Sequence, residues 1–310
     1  MQPNIKFGFR IHQSGYTFEE LKRAVILADT LGYHSVTLYD LLGIPTLECW
    51  TTLSSLASVT NKIRLAPMVL ANLYRPPLLL AKMGATLDVI SNGRFEFGLG
   101  AGGNRRDHEL AGIEFPKTAQ RVKMLEESVS LIKKLWTHDS TTFTGSFYQT
   151  FQASINPKPV QIPHPPLIIG GHGERHLLRA VAKHADICNI GSELNIQEHS
   201  AKLELLEQHC KDVDRDFSEI EVTHNSRVVI AETRSAFEQK VAILAETSHM
   251  DIDSYKSEIS KSIHGTPEQC IRQIKSYSDY GIRYFFLIFP DPIITDDLVL
   301  FAKQVMPAFR

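Results

Sequence analysis

Short runs of β-branched and aromatic residues alternate along the chain with longer stretches in which apolar residues recur every three to four positions. The first run covers residues 5–10, and residues 17–31 follow it with Leu21, Val25 and Ala28 on one helical face. Runs of the first kind are typical of buried strands, and stretches of the second kind are typical of amphipathic helices. The chain is therefore predicted to alternate strand and helix.

Eight strand–helix units are predicted in this order. The expected strands are residues 5–10, 35–39, 63–70, 95–99, 167–169, 186–190, 221–230 and 285–289. The expected helices are residues 17–31, 48–59, 76–90, 118–136, 175–184, 196–213, 266–280 and 297–305. Alternating units form a parallel sheet, and eight of them close into the (β/α)8 TIM barrel of the α/β class. An open doubly wound sheet is the alternative arrangement of the same elements.

Two segments interrupt the alternation. Residues 137–166 are rich in Thr, Gln and Pro, with Phe143, Phe147 and Tyr148 around a turn at Gly145, and this predicts a β-hairpin insertion with a proline-rich loop. Residues 233–264 form a polar helical pattern that predicts a second insertion. Both insertions are expected to shape a substrate pocket, the aromatic residues as an apolar cover. No linker or low-complexity tract divides the chain, so residues 1–310 are expected to form a single domain.

Composition narrows the classes of function. The 33 basic and 35 acidic residues nearly cancel and form no basic stripe, which favours neither nucleic acid nor an anionic membrane as a partner. No apolar stretch has the length of a membrane span and no signal peptide is indicated, so a cytoplasmic protein is expected. The cysteines lack metal-ligand spacing and are expected to be free thiols.

A glycine-rich segment follows the fourth predicted strand. Residues 98–103 read GLGAGG and contain the GxGxxG pattern. A dinucleotide site would need a helix directly afterwards and an acidic strand end about 20 residues on, whereas that region lies within an amphipathic helix. Gly100, Ala101 and Gly102 either let the backbone approach a flat ring or serve only to pack the barrel interior.

A second glycine-rich turn, residues 170–173, precedes the fifth predicted helix. Free amides and the dipole at a helix N-terminus attract anions, and Arg175 would add positive charge; a plain tight turn is the alternative. His172 and His176 have i, i+4 spacing, but no HExxH motif and no third ligand accompany them. No metal site is therefore expected. Asp40 ends the second strand, where it would orient a ligand or cap a turn.

Several motifs occur together between the N-terminus and about Ile190. They are ECWTTL (48–53), TNKIRL (60–65), YRPPLLLAKM (74–83), TLDVISNGR (86–94), GLGAGG (98–103), PKPVQ (157–161) and PPLIIGGHG (165–173). Together they resemble the luciferase-like monooxygenase superfamily, whose barrels hold a flavin or deazaflavin at the C-terminal strand ends. The spelling is most similar to the branch that uses the deazaflavin coenzyme F420, with FMN as the alternative cofactor.

The resemblance implies roles for particular residues. A non-prolyl cis peptide that backs the cofactor ring maps onto Met68-Val69, with Asn72 nearby. The phosphate site maps onto Gly171, His172 and Gly173, next to Arg175, and the ring contact maps onto Gly100, Ala101 and Gly102. Relatives form dimers through barrel helices, so a homodimer is expected.

Two positions depart from the family pattern. Asp40-Leu41 stands where Asp-His is common, and Leu41 cannot donate a proton. The candidate catalytic residues are therefore Asp40 together with His12 and His108 from neighbouring loops. Gly103 stands where many relatives have Trp, which predicts a wider pocket.

Three functions follow from these observations. The first is an F420-dependent oxidoreductase that transfers a hydride between the deazaflavin and an unidentified small organic substrate. The second is an FMN-dependent monooxygenase that uses oxygen and reduced flavin from a flavin reductase. The third is a non-catalytic flavin- or deazaflavin-binding protein, which Leu41 supports.

Overall fold

The computed structural model describes residues 5–171, 173, 176–192, 194–290 and 295–309. The strands are β1 (Lys6–Ile11), β2 (Ser35–Leu38), β3 (Arg64–Pro67), β4 (Leu70–Ala71), β5 (Phe97–Gly100), β6 (Thr141–Thr144), β7 (Gln149–Ala153), β8 (Leu167–Gly170), β9 (Ile187–Ser192), β10 (Glu221–Ile230), β11 (Ile263–Gly265) and β12 (Tyr284–Ile288). The α-helices are α1 (Phe18–Leu31), α2 (Cys49–Ala57), α3 (Pro77–Ile90), α4 (Arg105–Ala111), α5 (Thr118–Thr137), α6 (Leu177–His184), α7 (Ile196–Asp212), α8 (Arg234–Thr247), α9 (Ile252–Ile259), α10 (Pro267–Asp279) and α11 (Asp296–Gln304).

The main sheet closes on itself. Its order is β3-β2-β1-β12-β10-β9-β8-β5-β4, and the paired strands are parallel. The two outer members, β3 and β4, are consecutive parts of one strand that is interrupted by the cis peptide Met68-Val69. Counted as one, they give eight parallel strands with helices in the connections. The (β/α)8 barrel predicted from the alternating pattern is confirmed, and the open sheet is not formed.

Alternation along the strands divides the apolar residues into two cores, because successive side chains point to opposite faces. In β12, Phe285 and Leu287 belong to the large core between strands and helices. Tyr284 and Phe286 belong to a smaller cluster, with Met68 and residues of β3, β8 and β9, that fills the barrel interior. The position of Phe286 identifies the inward face of its neighbour β1, since a Cβ on Gly8 would lie 2.8 Å from the Phe286 ring.

A polar cluster lies in the barrel interior near the N-terminal ends of the strands. The buried Glu96 accepts hydrogen bonds from Arg64 Nε (2.7 Å) and Tyr284 Oη (3.0 Å). Burial raises the pKa of Glu96, but the hydrogen bonds and charges of His34 and Arg64 outweigh burial and hold the pKa below its ordinary value. This end of the barrel therefore has paired charges, while the opposite end carries the cavity described below.

Residues 137–166 and 233–264 contain the predicted hairpin and helices, and the second segment also contains a strand, β11, that was not predicted. Strands β6 and β7 form the antiparallel hairpin expected within residues 137–166. The second segment contains α8 and α9, and it ends in the short strand β11, which pairs with β10 in parallel. Helix α4 was also not predicted, because its seven residues are mostly polar and show no apolar period; Asn104 caps it by accepting from the amides of Arg106 and Asp107.

The described residues contain neither a membrane-spanning helix nor a metal-binding cluster. In this part of the chain no helix combines the length and apolar character that a bilayer crossing requires. The same part brings no three His, Cys, Asp or Glu side chains into a metal-binding group. The four cysteines are buried and free.

Candidate active site

A cavity of about 400 Å³ lies at the C-terminal ends of the barrel strands. In (β/α)8 barrels this end carries the active site, because the loops that follow the strands meet there. Of the residues expected from the sequence to bind a cofactor or act in catalysis, those that line it are Asp40, Met68, Val69, Gly100, Ala101, Gly102, Gly171 and Gly173. His172 and Arg175 lie outside the described residues.

The cis peptide Met68-Val69 makes an inward bulge that the surrounding glycines accommodate. A Cβ on Gly100 would lie 2.6 Å from Val69 Cγ2, and a Cβ on Gly170 would lie 3.0 Å from Val69 Cγ1. The cis bond expected from the resemblance is present. Gly100 packs against Val69, as the packing interpretation predicted, and it also forms part of the cavity wall; the approach to a flat ring stays a prediction.

The turn after β8 forms the opposite side of this wall. Gly171 has φ 149° and donates its amide to Asn189 O (3.1 Å). A Cβ on Gly171 would lie 2.3 Å from Leu177 Cδ2, so a side chain there would displace the end of Leu177, and the positive φ disfavours one as well. Gly173 also lines the cavity, and helix α6 begins shortly after it at Leu177. The turn therefore brings bare backbone to the cavity next to a helix N-terminus, as an anion site requires.

Asp40 is bound on both carboxylate oxygens. Arg75 donates to Oδ2 (2.9 Å) and Oδ1 (3.0 Å), and the amide of Ala71 donates to Oδ2 (3.0 Å). Burial lowers the pKa of Arg75, but its contacts with Asp40 and Glu48 outweigh burial and raise it overall. Asp40 thus links the loop after β2 to the end of β4, and its oxygens are already committed to protein donors.

Asp107 holds the same loop from the other side. Its carboxylate accepts from the amides of Leu42 (3.2 Å) and Gly43 (2.9 Å) and from Tyr74 Oη (3.3 Å). Burial and the charge of Asp107 raise the pKa of Tyr74, which stays protonated as the donor. Asp107 lines the cavity and was not predicted from the sequence, because it lies in the short helix α4 that the apolar pattern does not reveal.

The two candidate histidines are not brought to the cavity wall. His108 is buried behind Gly102, with Nδ1 2.8 Å from Asn104 O and no hydrogen-bond partner for Nε2 in the described part of the chain. His12 packs at 5.0 Å from the ring of Tyr39, and burial and the charge of Arg10 lower its pKa. Neither residue is among the described residues that line the cavity, so the expectation that they take the place of the usual His at Leu41 gains no support from the cavity wall.

Asn72 also lies behind the wall. It is buried, donates from Nδ2 to Tyr148 Oη (3.2 Å), and leaves Oδ1 without a partner among the described atoms. The aromatic residues of the hairpin segment pack away from the cavity. Phe143 and Tyr148 pack on the large core, and Phe147 lines a separate surface groove. None of the described cavity-lining residues belongs to 137–166 or 233–264, so neither segment forms part of the described cavity wall, and a role in shaping a substrate pocket stays a prediction.

Polar side chains of four elements complete the wall and were missed by sequence reasoning. Asn189 and Asn225 exchange side-chain hydrogen bonds of 2.9 and 3.1 Å across β9 and β10. Arg121 of α5 donates from Nε to Gly102 O (2.9 Å) and so fixes the glycine-rich loop. Arg10 comes from β1. For Arg10 a signal was present, because alternation along β1 places it on the same face as Gly8.

Comparison with known proteins gives the family. Residues 4–284 match the family model of luciferase-like monooxygenases. The chain belongs to this family. The F420-dependent glucose-6-phosphate dehydrogenase of Amycolatopsis mediterranei is 26% identical over 99% of both chains. The pyrimidine monooxygenase RutA of Allorhizobium ampelinum is 33% identical over 52% of this chain and 42% of its own.

A solved structure has the same fold. The coenzyme F420-dependent tetrahydromethanopterin reductase of Methanopyrus kandleri superposes with a TM-score of 0.82 over 99% of this chain and all of that chain, at 19% identity. These luciferase-like relatives are dehydrogenases, reductases and monooxygenases. The chain is accordingly an oxidoreductase of this family.

Proposed function

We propose that this luciferase-like protein is an F420-dependent oxidoreductase that transfers a hydride between the deazaflavin and a small organic substrate. The observation that carries the proposal is the glycine-lined cavity around Val69, which faces the backbone turn at Gly171 and Gly173. The full-length similarity to F420-dependent glucose-6-phosphate dehydrogenases supports the same cofactor.

The residues present fit such a cofactor. A flat ring needs a wall without side chains, and Cβ atoms on Gly100 or Gly171 would be in collision with Val69 or Leu177. We propose that Met68, Val69, Gly100, Ala101 and Gly102 hold the ring. The cofactor would supply the hydride chemistry, and the chain would bind and orient the reactants.

The phosphate end of the cofactor would lie at the turn after β8. We propose Gly171 and Gly173 for this role, with His172 and Arg175 as the sequence predicts. The argument is the exposed backbone of the turn beside the start of α6. Asn72 is proposed as a supporting residue, since it follows the cavity-lining Ala71 and its buried Oδ1 has no partner among the described atoms.

Acid–base roles are assigned differently from the sequence expectation. Asp40 is proposed to position the loop after β2, because both its oxygens are bound by Arg75 and Ala71. Leu41 lines the cavity where relatives commonly carry His, and it excludes water without moving a proton. His12 and His108 are given no role in the reaction.

An FMN-dependent monooxygenase is the second candidate. The 33% identity to a pyrimidine monooxygenase over about half of this chain favours it. Such an enzyme would need reduced FMN from a flavin reductase. Four expectations stay predictions from the sequence: a homodimer, a single domain spanning residues 1–310, a cytoplasmic location, and the alternative function of a non-catalytic cofactor-binding protein.

Titration with F420 and with FMN, followed by ring fluorescence, tests the proposal. We expect F420 to bind in the micromolar range or tighter and Gly171→Asp to abolish binding, because the new side chain meets Leu177 and adds negative charge at the phosphate turn. Gly281→Asp is the matched control: Gly281 also has a positive φ (91°) but has open space around it.

The outcomes separate the three functions. Preference for FMN together with oxygen consumption would support the monooxygenase function instead. Tight cofactor binding without turnover across a substrate panel would support the non-catalytic reading. Binding of neither cofactor would remove the proposed function.

A further inference from the structure

The side chain of Arg10 enters the cavity from β1 and has no acidic partner among the described residues. β1 alternates between its two faces, and Gly8 faces the barrel interior against Phe286, so Arg10 two residues later points into the same interior at the C-terminal end. Arg10 lines the cavity. Among the described residues it forms no ion pair, and its buried Nε has no hydrogen-bond partner.

The acidic residues of the cavity wall are already committed elsewhere. Asp40 is bound by Arg75 on both oxygens, and Asp107 is bound by the amides of Leu42 and Gly43. Arg121, the other described arginine in the wall, donates to carbonyl oxygens. A buried guanidinium without a counter-ion is costly, so Arg10 is suited to recruit an anion from a ligand.

The position of Arg10 is fixed by Tyr39, which Gln13 in turn holds. Its guanidinium carbon lies 4.5 Å from the centre of the Tyr39 ring, a cation–π contact. Gln13 holds the backbone of Tyr39 in place, donating to its carbonyl (2.6 Å) and accepting from its amide (3.1 Å). Burial lowers the pKa of Arg10, and Tyr39 offsets part of this effect. The group is therefore held in place before a ligand arrives.

The barrel places Arg10 far from the proposed phosphate turn. In the closed sheet, β1 is four strands from β8 in both directions, so Arg10 lies across the cavity from Gly171 and Gly173. Val69 lies on the strand between them. A cofactor held at the turn after β8 and against Val69 would leave the part of the cavity next to Arg10 for the second reactant.

We propose that Arg10 binds a carboxylate group of the substrate, so that the natural substrates are small organic acids; this rests on the function proposed above. The planar guanidinium can donate to both oxygens of a carboxylate. A neutral amide of the same shape offers one acceptor oxygen and no negative charge. The anionic edge of a bound cofactor ring would offer the same charge, and the experiment separates the two.

Calorimetric titration of the F420-loaded protein with benzoate and with benzamide tests the proposal. We expect benzoate to bind roughly 10- to 100-fold more tightly than benzamide, which is the range of a charge-assisted hydrogen bond. Arg10→Met should remove the preference, and Arg10→Lys should keep part of it. Arg272→Met, an exposed arginine of α10 changed in the same way, should leave both affinities unchanged.

Each other outcome counts against the proposal. Equal or undetectable binding of the two probes to the wild-type protein, or an unchanged preference in Arg10→Met, overturns it. Loss of F420 affinity in Arg10→Met and Arg10→Lys, with thermal unfolding unchanged, would assign Arg10 to the cofactor. If the wild-type protein binds neither F420 nor FMN, the proposed function fails, while the benzoate–benzamide comparison on the unloaded protein still tests Arg10.

Discussion

The buried ion pair between Asp40 and Arg75 allows a direct test of how the mouth of the barrel is stabilised. The Asp40 side chain is 1% exposed and that of Arg75 is 14% exposed, and two hydrogen bonds of 2.9 and 3.0 Å join them. In Arg75→Met the carboxylate would stay buried with the amide of Ala71 as its remaining donor. We expect this variant to be strongly destabilised.

The magnitude follows from the burial of the two groups. Removing one partner of a buried pair costs about 3–5 kcal/mol, because the remaining charge is left uncompensated. The second contact of Arg75, with Glu48, contributes little, since Glu48 is 44% exposed and solvent screens the pair. The double variant Asp40→Asn with Arg75→Met removes both charges, so it should be more stable than Arg75→Met alone.

Urea unfolding followed by tryptophan fluorescence measures these differences. Lys183→Met is the matched control: Lys183 pairs with Glu126 at 2.7 Å, but the two side chains are 37% and 23% exposed. We expect the control to lose at most about 1 kcal/mol. The reasoning is refuted if Arg75→Met costs no more than Lys183→Met, or if the double variant is no more stable than Arg75→Met.

Three further variants test other parts of the structure. Gly100→Ala places a methyl group 2.6 Å from Val69 Cγ2, so we expect about 1–3 kcal/mol of destabilisation in urea and weaker F420 binding. His224 has its pKa lowered to about 3 by burial and by His199, so the folded state disfavours its protonation. Stability is then full above about pH 6.5 and falls as the pH drops toward 3, by about 2 kcal/mol between pH 7.5 and 5. His224→Phe should remove that share of the pH dependence, and an unchanged slope would contradict the assignment. Leu41→His should add a titration near pH 6.5 to kcat/KM, and a flat profile would show that this wall does not contact the substrate.

The sequence predicts the barrel because the apolar pattern is repeated in each strand–helix unit. Errors at element ends stay within a few residues, and the missed elements are the short ones. Helix α4 is polar on most faces, and β11 has three residues, too few for a period to be visible. Both depend on contacts distant in sequence, such as the pairing of β11 with β10.

The backbone features of the site were predicted better than its side-chain contacts. Backbone features follow local sequence, so the cis peptide and the glycine wall were placed correctly by resemblance. Side-chain partners depend on packing between loops, which the sequence does not reveal. His108 lies in the short helix α4 and packs behind Gly102, and Tyr148 of the hairpin contacts Asn72 instead of lining the cavity.

The loop after β2 shows why the charge of the cavity is unbalanced. Two carboxylates hold this loop. Asp40 accepts hydrogen bonds from Arg75, and Asp107 accepts from the loop amides of Leu42 and Gly43, so the contacts join elements that are not adjacent in sequence. Using the acidic groups in this way leaves them unable to neutralise Arg10. Since Leu41 on the same loop provides no polar group, the described wall from β1 to β2 offers a ligand the cation of Arg10 and an apolar surface. An organic acid has both complementary parts, whereas a neutral polar substrate would leave Arg10 uncompensated.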